Sequence, residues 1–429
     1  MRGARRGRVR GTTLTVRHVL VVLTGVLVCF GPATLVFNTW SILVVPVCNG
    51  LDVPTGSFTF YVSMIFLASA VTAPFAGNLM ERFDARIVIT AACGLCAAGI
   101  FLCSFYTETW QFYVSGAMEG AGVVVLVSLT APTLVNRWFQ RHTGLLVGLC
   151  VAMMGVGAAV WNMLGGVLLS EFDWRMCYRA FGIIAAAISM PATAFLIRSY
   201  PEDVGLVPYG EIADEDKAEA FMETGIAARK AFRMPAFFLL MLTIGLINGT
   251  VQMGNYLAKY LYHLADTGMV ALTAAEAVIM ASVIASCLQV AQACAKVGLG
   301  QVADHSLRAA LLIACGCGMA GVLFCWQGPG IDPNVVYAGS ALFGILYGSV
   351  NVLGPTITRC LFGPREYTVI YSRVAIFVNL VPAFFVPLYA VLADISWDAL
   401  FAVAASVVLV VFACAMALLH QAKRIAEDR

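Results

Sequence analysis

The stretch that decides the fold is GNLMERFDAR, which runs from Gly77 to Arg86 and returns in altered form as GQVADHSLR, from Gly300 to Arg308. In both copies an acidic residue follows the glycine by four positions, and an arginine stands in the short loop beyond it. The two copies close the second and the eighth apolar segments of the chain. A motif that recurs six segments apart indicates a chain built from two related halves.

The composition predicts a membrane protein. Of the 429 residues, 61% are hydrophobic and 12% are charged, whereas soluble domains carry about 25% charged residues. Apolar stretches of membrane-spanning length recur along the whole chain, and lipid leaves the backbone only helices or closed barrels. We therefore predict an all-α integral membrane protein with twelve transmembrane helices in two six-helix bundles. The spans are expected at about 18–45, 56–79, 87–106, 110–136, 144–169, 177–199, 235–262, 274–302, 309–327, 334–361, 367–393 and 397–420.

The longest polar segment, residues 198–234, follows the sixth span and separates the two bundles. The first span follows a basic stretch and is too long for the apolar region of a signal peptide, so we expect it to be retained. Charged residues in the middle loop predict a short surface helix with a solvated face. The expected organisation is a basic N-terminus (1–17), an N-terminal bundle (18–199), a middle loop (200–234), a C-terminal bundle (235–420) and a tail (421–429).

Lysine and arginine are distributed unevenly between the two sides of the membrane. Of the 26 such residues, 21 fall in the termini and in or beside the loops after even-numbered spans. Three fall toward the other side, namely Arg175, Arg179 and Lys259, which lies near the end of the seventh span. The remaining two, Lys296 and Arg373, lie deeper within spans. By the positive-inside rule, both termini and the middle loop are expected on the cytoplasmic side of the cell membrane.

Several functional classes are disfavoured by what the sequence lacks. The 14 cysteines lie mostly in apolar segments without the spacing of a zinc site, and buried cysteine behaves as a small hydrophobe. The five histidines are scattered near span ends, and neither a glycine-rich phosphate loop nor a nucleophile elbow is present. We therefore expect no catalytic residue, no metal, no cofactor and no nucleic-acid partner.

A polar stripe runs along the eighth span. At 100° per residue, Gln289, Gln292 and Lys296 fall within about a 60° arc. Lipid-facing amides and cations are costly, so the stripe is expected to face the bundle interior and to bind substrate. Snorkelling of Lys296 to the surface is the alternative, although its side chain leans toward the helix N-terminus and hence toward the membrane centre.

The seventh span carries a second stripe, formed by Asn248, Gln252, Asn255 and Lys259. Two consecutive spans with polar faces suggest a shared cavity wall, and the three amides are predicted to contact substrate. Hydrogen bonds between helices are the alternative role for these amides.

Two further charges lie within spans. Glu119 is about 13 Å into the fourth span, in the small-residue run GAMEGAG. A carboxyl group in a low-dielectric surrounding can take up a proton, so Glu119 is a candidate for proton coupling, with a structural role as the alternative. Arg373 is about 9 Å inside the eleventh span, where it can bind substrate or snorkel to the cytoplasmic surface.

The repeated loop resembles the signature of the major facilitator superfamily, G-x-L-x-D-R-x-G-x-R. Here Glu81 replaces the aspartate and Asp84 stands where the family has glycine. The resemblance implies that the loop residues brace neighbouring helices at the cytoplasmic side and help to gate them. By this resemblance the gating role falls to Gly77, Glu81, Arg82 and Arg86, and in the second copy to Gly300, Asp304 and Arg308.

Two other stretches resemble the monocarboxylate-transporter and oxalate:formate-antiporter branch of that superfamily. They are RSYPEDVGLVP from Arg198 and RWFQRHTGLLVGL from Arg137. The resemblance implies that Lys296 stands where those carriers place a substrate-binding arginine. Gln292 stands where the monocarboxylate members have an aspartate that works with protons, which puts proton symport in doubt.

The expected function is that of a secondary active transporter for a small organic anion, a mono- or dicarboxylate, coupled to a proton or a counter-substrate. Its only other expected partner is membrane lipid. A transporter-fold receptor that binds without moving its ligand remains open, as does a carrier of a neutral or cationic small molecule. A membrane-embedded enzyme is the third class, and it would require a metal or nucleophile cluster at one depth.

Overall fold

The computed structural model describes residues 14–139, 143–206, 209, 225–267, 274–327, 335–363 and 367–427. This part of the chain contains twelve helices that are long and apolar enough to cross a membrane. The predicted all-α architecture with twelve spans is thus confirmed. Spans 1 to 12 run over Val16–Asn38, Thr55–Ala76, Ala85–Cys103, Thr109–Val135, Leu146–Glu171, Trp174–Leu196, Pro235–Asp266, Glu276–Ala303, Leu307–Gln327, Val335–Phe362, Arg373–Ile395 and Trp397–Ala422.

Several helices continue beyond the apolar spans. Span 2 belongs to the helix Thr55–Arg82, span 8 to Ala274–His305 and span 12 to Trp397–Glu427. Span 7 is interrupted by the 3₁₀ turn Gln252–Tyr256 between the helices Pro235–Val251 and Leu257–Asp266.

Span 1 differs from its predicted extent of 18–45. The helix widens to a π-turn at Cys29–Ala33, around Pro32, and a separate helix, Trp40–Leu51, follows Thr39. Proline has no backbone N–H and clashes with the preceding turn, which accounts for the π-turn. The helix continues to Asn38 and ends there, so the apolar run that predicted one helix forms two.

The two bundles meet along two pairs of helices. Span 2 packs along span 11, and span 5 packs along span 8, while spans 2 and 4 and spans 8 and 10 pack within their own bundles. The predicted surface helix of the middle loop falls largely outside the described residues, and the domain boundaries stay predictions.

Loops alternate between two faces of the helix bundle. We call the face that carries the N-terminus and the loops after even-numbered spans the terminal face. The face with the loops after odd-numbered spans is the opposite face.

Candidate functional site

The polar stripe of span 8 lies inside the bundle. Gln289 and Gln292 are 1% and 3% exposed, and Lys296, one turn further along, is half-buried. On the other side of the same helix, Val290 and Val297 are 49% and 57% exposed, as expected of side chains that meet lipid. The geometry agrees with the predicted interior arc, while the binding role of these residues stays a prediction.

Span 5 packs against span 8 on one side of the stripe. A Cβ added at Gly155 would lie 3.0 Å from the carbonyl oxygen of Gln289. Ser286 donates a hydrogen bond of 3.1 Å to the carbonyl oxygen of Ala159. Small residues let helix backbones approach this closely, so the N-terminal bundle contacts span 8 directly beside the stripe.

Span 10 packs against span 8 on the other side of the stripe. A Cβ added at Gly348 would lie 2.7 Å from the carbonyl oxygen of Gln292 and 3.2 Å from the amide nitrogen of Lys296. Substituting Gly348 would therefore push span 8 away from span 10. The stripe faces the bundle interior between the contact of span 8 with span 5 and its contact with span 10.

The polar groups of the stripe lack protein partners. Among the described residues, no hydrogen bond or ion pair reaches the Nζ of Lys296. The side-chain oxygens of Gln289 and Gln292 are buried and accept no hydrogen bond. Unpaired buried polar groups are costly. The stripe is therefore suited to a polar ligand that brings negative charge to Lys296 and hydrogen-bond donors to the two amide oxygens.

The side-chain amides of span 7 already form hydrogen bonds within the protein. Nδ2 of Asn248 donates to the carbonyl oxygen of Val378 in span 11. Nε2 of Gln252 donates to the carbonyl oxygen of Asn248 at 3.1 Å, and Nδ2 of Asn255 donates to Oε1 of Gln252 at 3.2 Å. These bonds brace span 7, which is the alternative role that the sequence left open.

We expect Asn248→Ala to destabilise the protein. The change leaves the Val378 carbonyl oxygen without this donor in the interior, at a cost of about 1–3 kcal/mol. The measurement is the melting temperature in detergent, followed by tryptophan fluorescence. Asn379→Ala is the matched control, because Asn379 donates only to Ala375 of its own helix, at 2.9 Å. Equal melting temperatures for Asn248→Ala and the control would mean that the bond to span 11 does not stabilise span 7.

The bundles are joined at the opposite face. Lys259, near the end of span 7, donates to Oγ1 of Thr55 at 2.8 Å and pairs with Asp394 at 2.5 Å. Gly148 lies about two turns nearer the terminal face than Gly155, on the same side of span 5. A Cβ added at Gly148 would have no described atom within 4 Å, so the close contact that span 5 makes with span 8 at Gly155 is not repeated at Gly148.

Glu119 lies within the N-terminal bundle, between spans 2 and 3. Its side chain is 0% exposed, its Oε2 accepts a hydrogen bond of 2.5 Å from Tyr61, and its Oε1 has no partner. A Cβ added at Gly99 of span 3 would lie 2.6 Å from Cγ of Glu119, so glycine makes room for the carboxyl. No described cation pairs with this group, and a carboxyl in such a surrounding can hold a proton.

Arg373 is exposed near the terminal face. Its guanidinium carbon lies 6.0 Å from the ring centre of Phe232, in the segment before span 7. This position agrees with snorkelling, and a role in substrate binding stays a prediction.

The loop after span 2 is tied to the end of span 6. Asp84 caps the next helix by accepting a 2.9 Å hydrogen bond from the amide of Arg86, and it accepts a 2.6 Å bond from the hydroxyl of Ser199. The bond from Ser199 holds the pKa of Asp84 below its ordinary value. This residue, which replaces the family's glycine, therefore fixes the loop to span 6.

The remaining loop residues are described only in part. Gly300 lies beside Val352 of span 10, and Arg308 is exposed at the terminal face. Their gating roles, and that of Arg86, stay predictions. Four predicted gating residues have side chains outside the described part, namely Gly77, Glu81, Arg82 and Asp304.

Sequence reasoning missed the partners of several charged groups. The helix start after Asp84 carries an N-cap signature, and this signal could have identified the cap. No local signal links Tyr61 with Glu119, or Lys259 with Asp394, because these partners are distant along the chain.

A large apolar groove lies on the outer surface between spans 8, 9 and 10. It is lined by residues such as Ala291, Cys294, Gly298 and Ile313, with no charged side chain. Cys294 and Gly298 belong to the exposed side of span 8. The groove is suited to lipid chains and is separate from the stripe.

Comparison with protein families gives one broad match. The model described as Major Facilitator Superfamily matches residues 26–330, well over half of the chain.

Curated relatives are similar at low identity. The uncharacterised MFS-type transporter YhjX of Escherichia coli is 22% identical over 350 residues, which are 78% of this chain and 79% of that protein. Monocarboxylate transporter 3 of Rattus norvegicus is 24% identical over 317 residues, 72% of this chain and 61% of that protein. The uncharacterised MFS-type transporter YcxA of Bacillus subtilis is 20% identical over 166 residues, 38% of this chain and 40% of that protein. The last two alignments span less than two thirds of the relative.

Solved structures share the fold over nearly the whole chain. A point mutant of the nucleoside transporter NupG has a TM-score of 0.73 at 12% identity, and the match covers 94% of this chain and 100% of that one. A bacterial homologue of the human lysosomal transporter Spinster has a TM-score of 0.65 at 14% identity, with 96% and 97% covered. At these identities the likeness concerns the fold alone.

Proposed function

Because this chain belongs to the major facilitator superfamily, whose fold is that of membrane transporters, we propose that it is a secondary active transporter of a small organic anion. One observation carries the proposal. Within the described part of the chain, Lys296 on the interior side of span 8 has no hydrogen-bond or ion-pair partner, and the buried amides of Gln289 and Gln292 lie on the same face of the helix. We propose no enzymatic role, since the family and the fold are those of transporters.

The proposed substrate is a mono- or dicarboxylate. An anion that enters the interior loses water, and the ammonium of Lys296 replaces part of that solvation. The amides of Gln289 and Gln292 then orient the remaining polar groups of the substrate. The similarity to a monocarboxylate transporter supports this substrate class. Arg373 and the side-chain amides of span 7 are proposed as secondary substrate contacts. They would bind substrate only after their present interactions within the protein are broken.

The proposed mechanism is alternating access across the cytoplasmic membrane. The excess of lysine and arginine on the terminal face supports a cytoplasmic terminal face, with both termini inside. The present conformation then opens to the cytoplasm and is closed outside by Lys259, Thr55 and Asp394. The sequence carries no nucleotide-binding motif, so the driving force is a proton or counter-substrate gradient. Glu119 is the proposed proton carrier.

The function is tested with purified protein in proteoliposomes. Labelled lactate, oxalate and succinate serve as the carboxylate probes, and glucose and alanine serve as the comparison. Accumulation of at least one carboxylate, without the sugar or the amino acid, is the expected result. Accumulation of only the neutral compounds would contradict the anion proposal. Binding without accumulation would instead support a receptor.

The orientation has its own test. Reporters that fluoresce only in the cytosol are fused after Arg86, Arg198 and Arg308, and each fusion is expected to be bright. A fusion after Asp52, in a loop of the opposite face, is the control and is expected to be dark. A dark fusion after Arg86 with a bright fusion after Asp52 would reverse the proposed orientation.

A further inference from the structure

A second groove on the outer surface lies between the start of span 7 and the end of span 12, which pack against each other. We call it the interfacial groove, and its volume is about 550 Å³. It is lined by Arg233, Pro235, Phe238, Leu239, Leu242 and Gln421. Phe238 and Leu242 are 60% and 46% exposed, whereas Leu240, on the other side of the helix, is 0% exposed. The groove therefore opens outward, away from the bundle interior that holds the stripe.

Polarity changes along the interfacial groove. Arg233 and Gln421 form its end near the terminal face, and the apolar side chains form the part that reaches into the membrane. Leu242 lies about 10 Å along the helix from Pro235, where span 7 begins. A phospholipid in a bilayer has the same order, with a charged headgroup at the surface and acyl chains beneath it. The polarity of the groove thus matches that of a lipid.

Positive charge is concentrated at the polar end of the groove. Arg229 and Arg233 are both exposed. The helix Ala228–Ala231 continues as a hydrogen-bonded turn, because the amide of Met234 donates to the carbonyl oxygen of Ala231 at 3.0 Å. Residues four positions apart in such a turn lie on the same side, so the two arginines are neighbours. Within the described part of the chain, neither guanidinium forms an ion pair or a hydrogen bond. Two such cations at the membrane surface attract a negatively charged headgroup.

The segment that carries Arg233 is held in place by packing. The ring centre of Phe232 lies 5.0 Å from that of Phe237, which is 5% exposed. The amide of Ile226 donates to the carbonyl oxygen of Phe362 in span 10 at 2.7 Å. The backbone of Arg233 is thus fixed between a buried aromatic contact and the start of span 7. Because this segment is already ordered, binding of a ligand costs little further loss of backbone freedom.

We propose that the interfacial groove binds an anionic phospholipid from the leaflet at the terminal face. The phosphate lies at Arg233 and Gln421, and an acyl chain lies along Phe238 and Leu242. The guanidinium can bind phosphate oxygens through two parallel N–H donors, and the amide of Gln421 adds a further donor. A freely soluble anion would leave the apolar part of the groove unfilled, and a zwitterionic lipid carries no net charge to match the arginines. The proposal goes beyond transport and does not depend on the identity of the substrate.

The site is tested by native mass spectrometry of the full chain, released from detergent after titration with dioleoyl phosphatidylglycerol. Phosphatidylcholine with the same acyl chains is expected to bind more weakly. Arg233→Gln is expected to weaken binding of phosphatidylglycerol by about fivefold, as the loss of one cation at the membrane surface predicts. Arg233→Lys keeps the charge and is expected to keep most of the affinity. Equal affinities of the wild-type protein for the two lipids would overturn the proposal. Inorganic phosphate that binds as tightly as the lipid would do the same, because the apolar part of the groove would then play no role.

Arg17→Gln is the matched control, because Arg17 is an exposed arginine at the start of span 1, on the same face but outside the groove. It is expected to bind phosphatidylglycerol as the wild type does. Leu242→Trp fills the apolar part of the groove with a larger side chain and is expected to reduce the lipid-bound peak. Equal weakening by Arg17→Gln and Arg233→Gln would overturn the site, and so would wild-type binding in Leu242→Trp. A dimer without bound lipid would mean that a second copy covers the groove, which also contradicts the proposal. Should Leu242→Trp fail to fold, the comparison of Arg233→Gln with Arg17→Gln decides.

Discussion

Lys296→Gln is expected to weaken the apparent affinity for the transported carboxylate by roughly ten- to a hundredfold. A charge-assisted contact between the ammonium and a desolvated anion contributes about 1.5–3 kcal/mol, and its loss converts to that factor. Lys296→Ala is expected to show the same loss. Lys296→Arg should retain part of the activity, since the charge survives while the donor geometry changes. The measurement is the concentration dependence of uptake in proteoliposomes.

The Lys296 variants are expected to reach the membrane. Removing a lone half-buried cation relieves a desolvation cost, so folding is not penalised. Lys230→Gln is the matched control, because Lys230 is exposed in the helix Ala228–Ala231 outside the spans, and its loss should leave affinity unchanged. Wild-type affinity in Lys296→Gln would remove Lys296 from the site and deprive the anion proposal of its main support.

Glu119→Gln is expected to abolish uphill, proton-driven uptake while sparing counterflow exchange. The amide keeps the shape of the carboxyl and an oxygen for the Tyr61 hydroxyl, yet it cannot take up a proton. Exchange of substrate for substrate needs no net proton movement and should continue. The two assays are run on the same proteoliposomes, with and without an imposed proton gradient.

Glu171→Gln is the control for this second substitution, because Glu171 is exposed at the end of span 5. It should support uphill uptake at the wild-type rate. Persistent uphill uptake in Glu119→Gln would mark Glu119 as structural. Gln292, which stands where monocarboxylate carriers have an aspartate, would then favour exchange of one anion for another.

Local features of the sequence predicted the fold and the face of the stripe. The length of each apolar stretch predicts a membrane span. The eighth span was expected at 274–302, and in the structure it runs over Glu276–Ala303. Helical periodicity alone brings Gln289, Gln292 and Lys296 to one arc, and their burial agrees with it. The first span was expected to reach residue 45 but ends at Asn38, because hydrophobicity alone does not mark where a helix breaks within an apolar run.

Contacts between segments that are distant along the chain could not be predicted from the sequence. Tyr61 meets Glu119 across 58 positions, and Asn248 meets Val378 across 130. Such pairs depend on how helices pack, which no single helix encodes. For this reason the sequence suggested that the amides of span 7 are as available to substrate as those of span 8. In the structure the amides of span 7 form hydrogen bonds within the protein.

The close contact of Gly155 with span 8 has a mechanical consequence. The contact lies near the middle of span 8, with about 20 Å of helix on either side, so it can act as the fulcrum of a lever with two equal arms. Rocking one bundle by about 20° around it would move each helix end by roughly 7 Å. The same tilt that parts Lys259 from Thr55 would bring Gly148 toward span 8. Under the proposed alternating access, opening at one face and closing at the other would then be a single movement about this glycine.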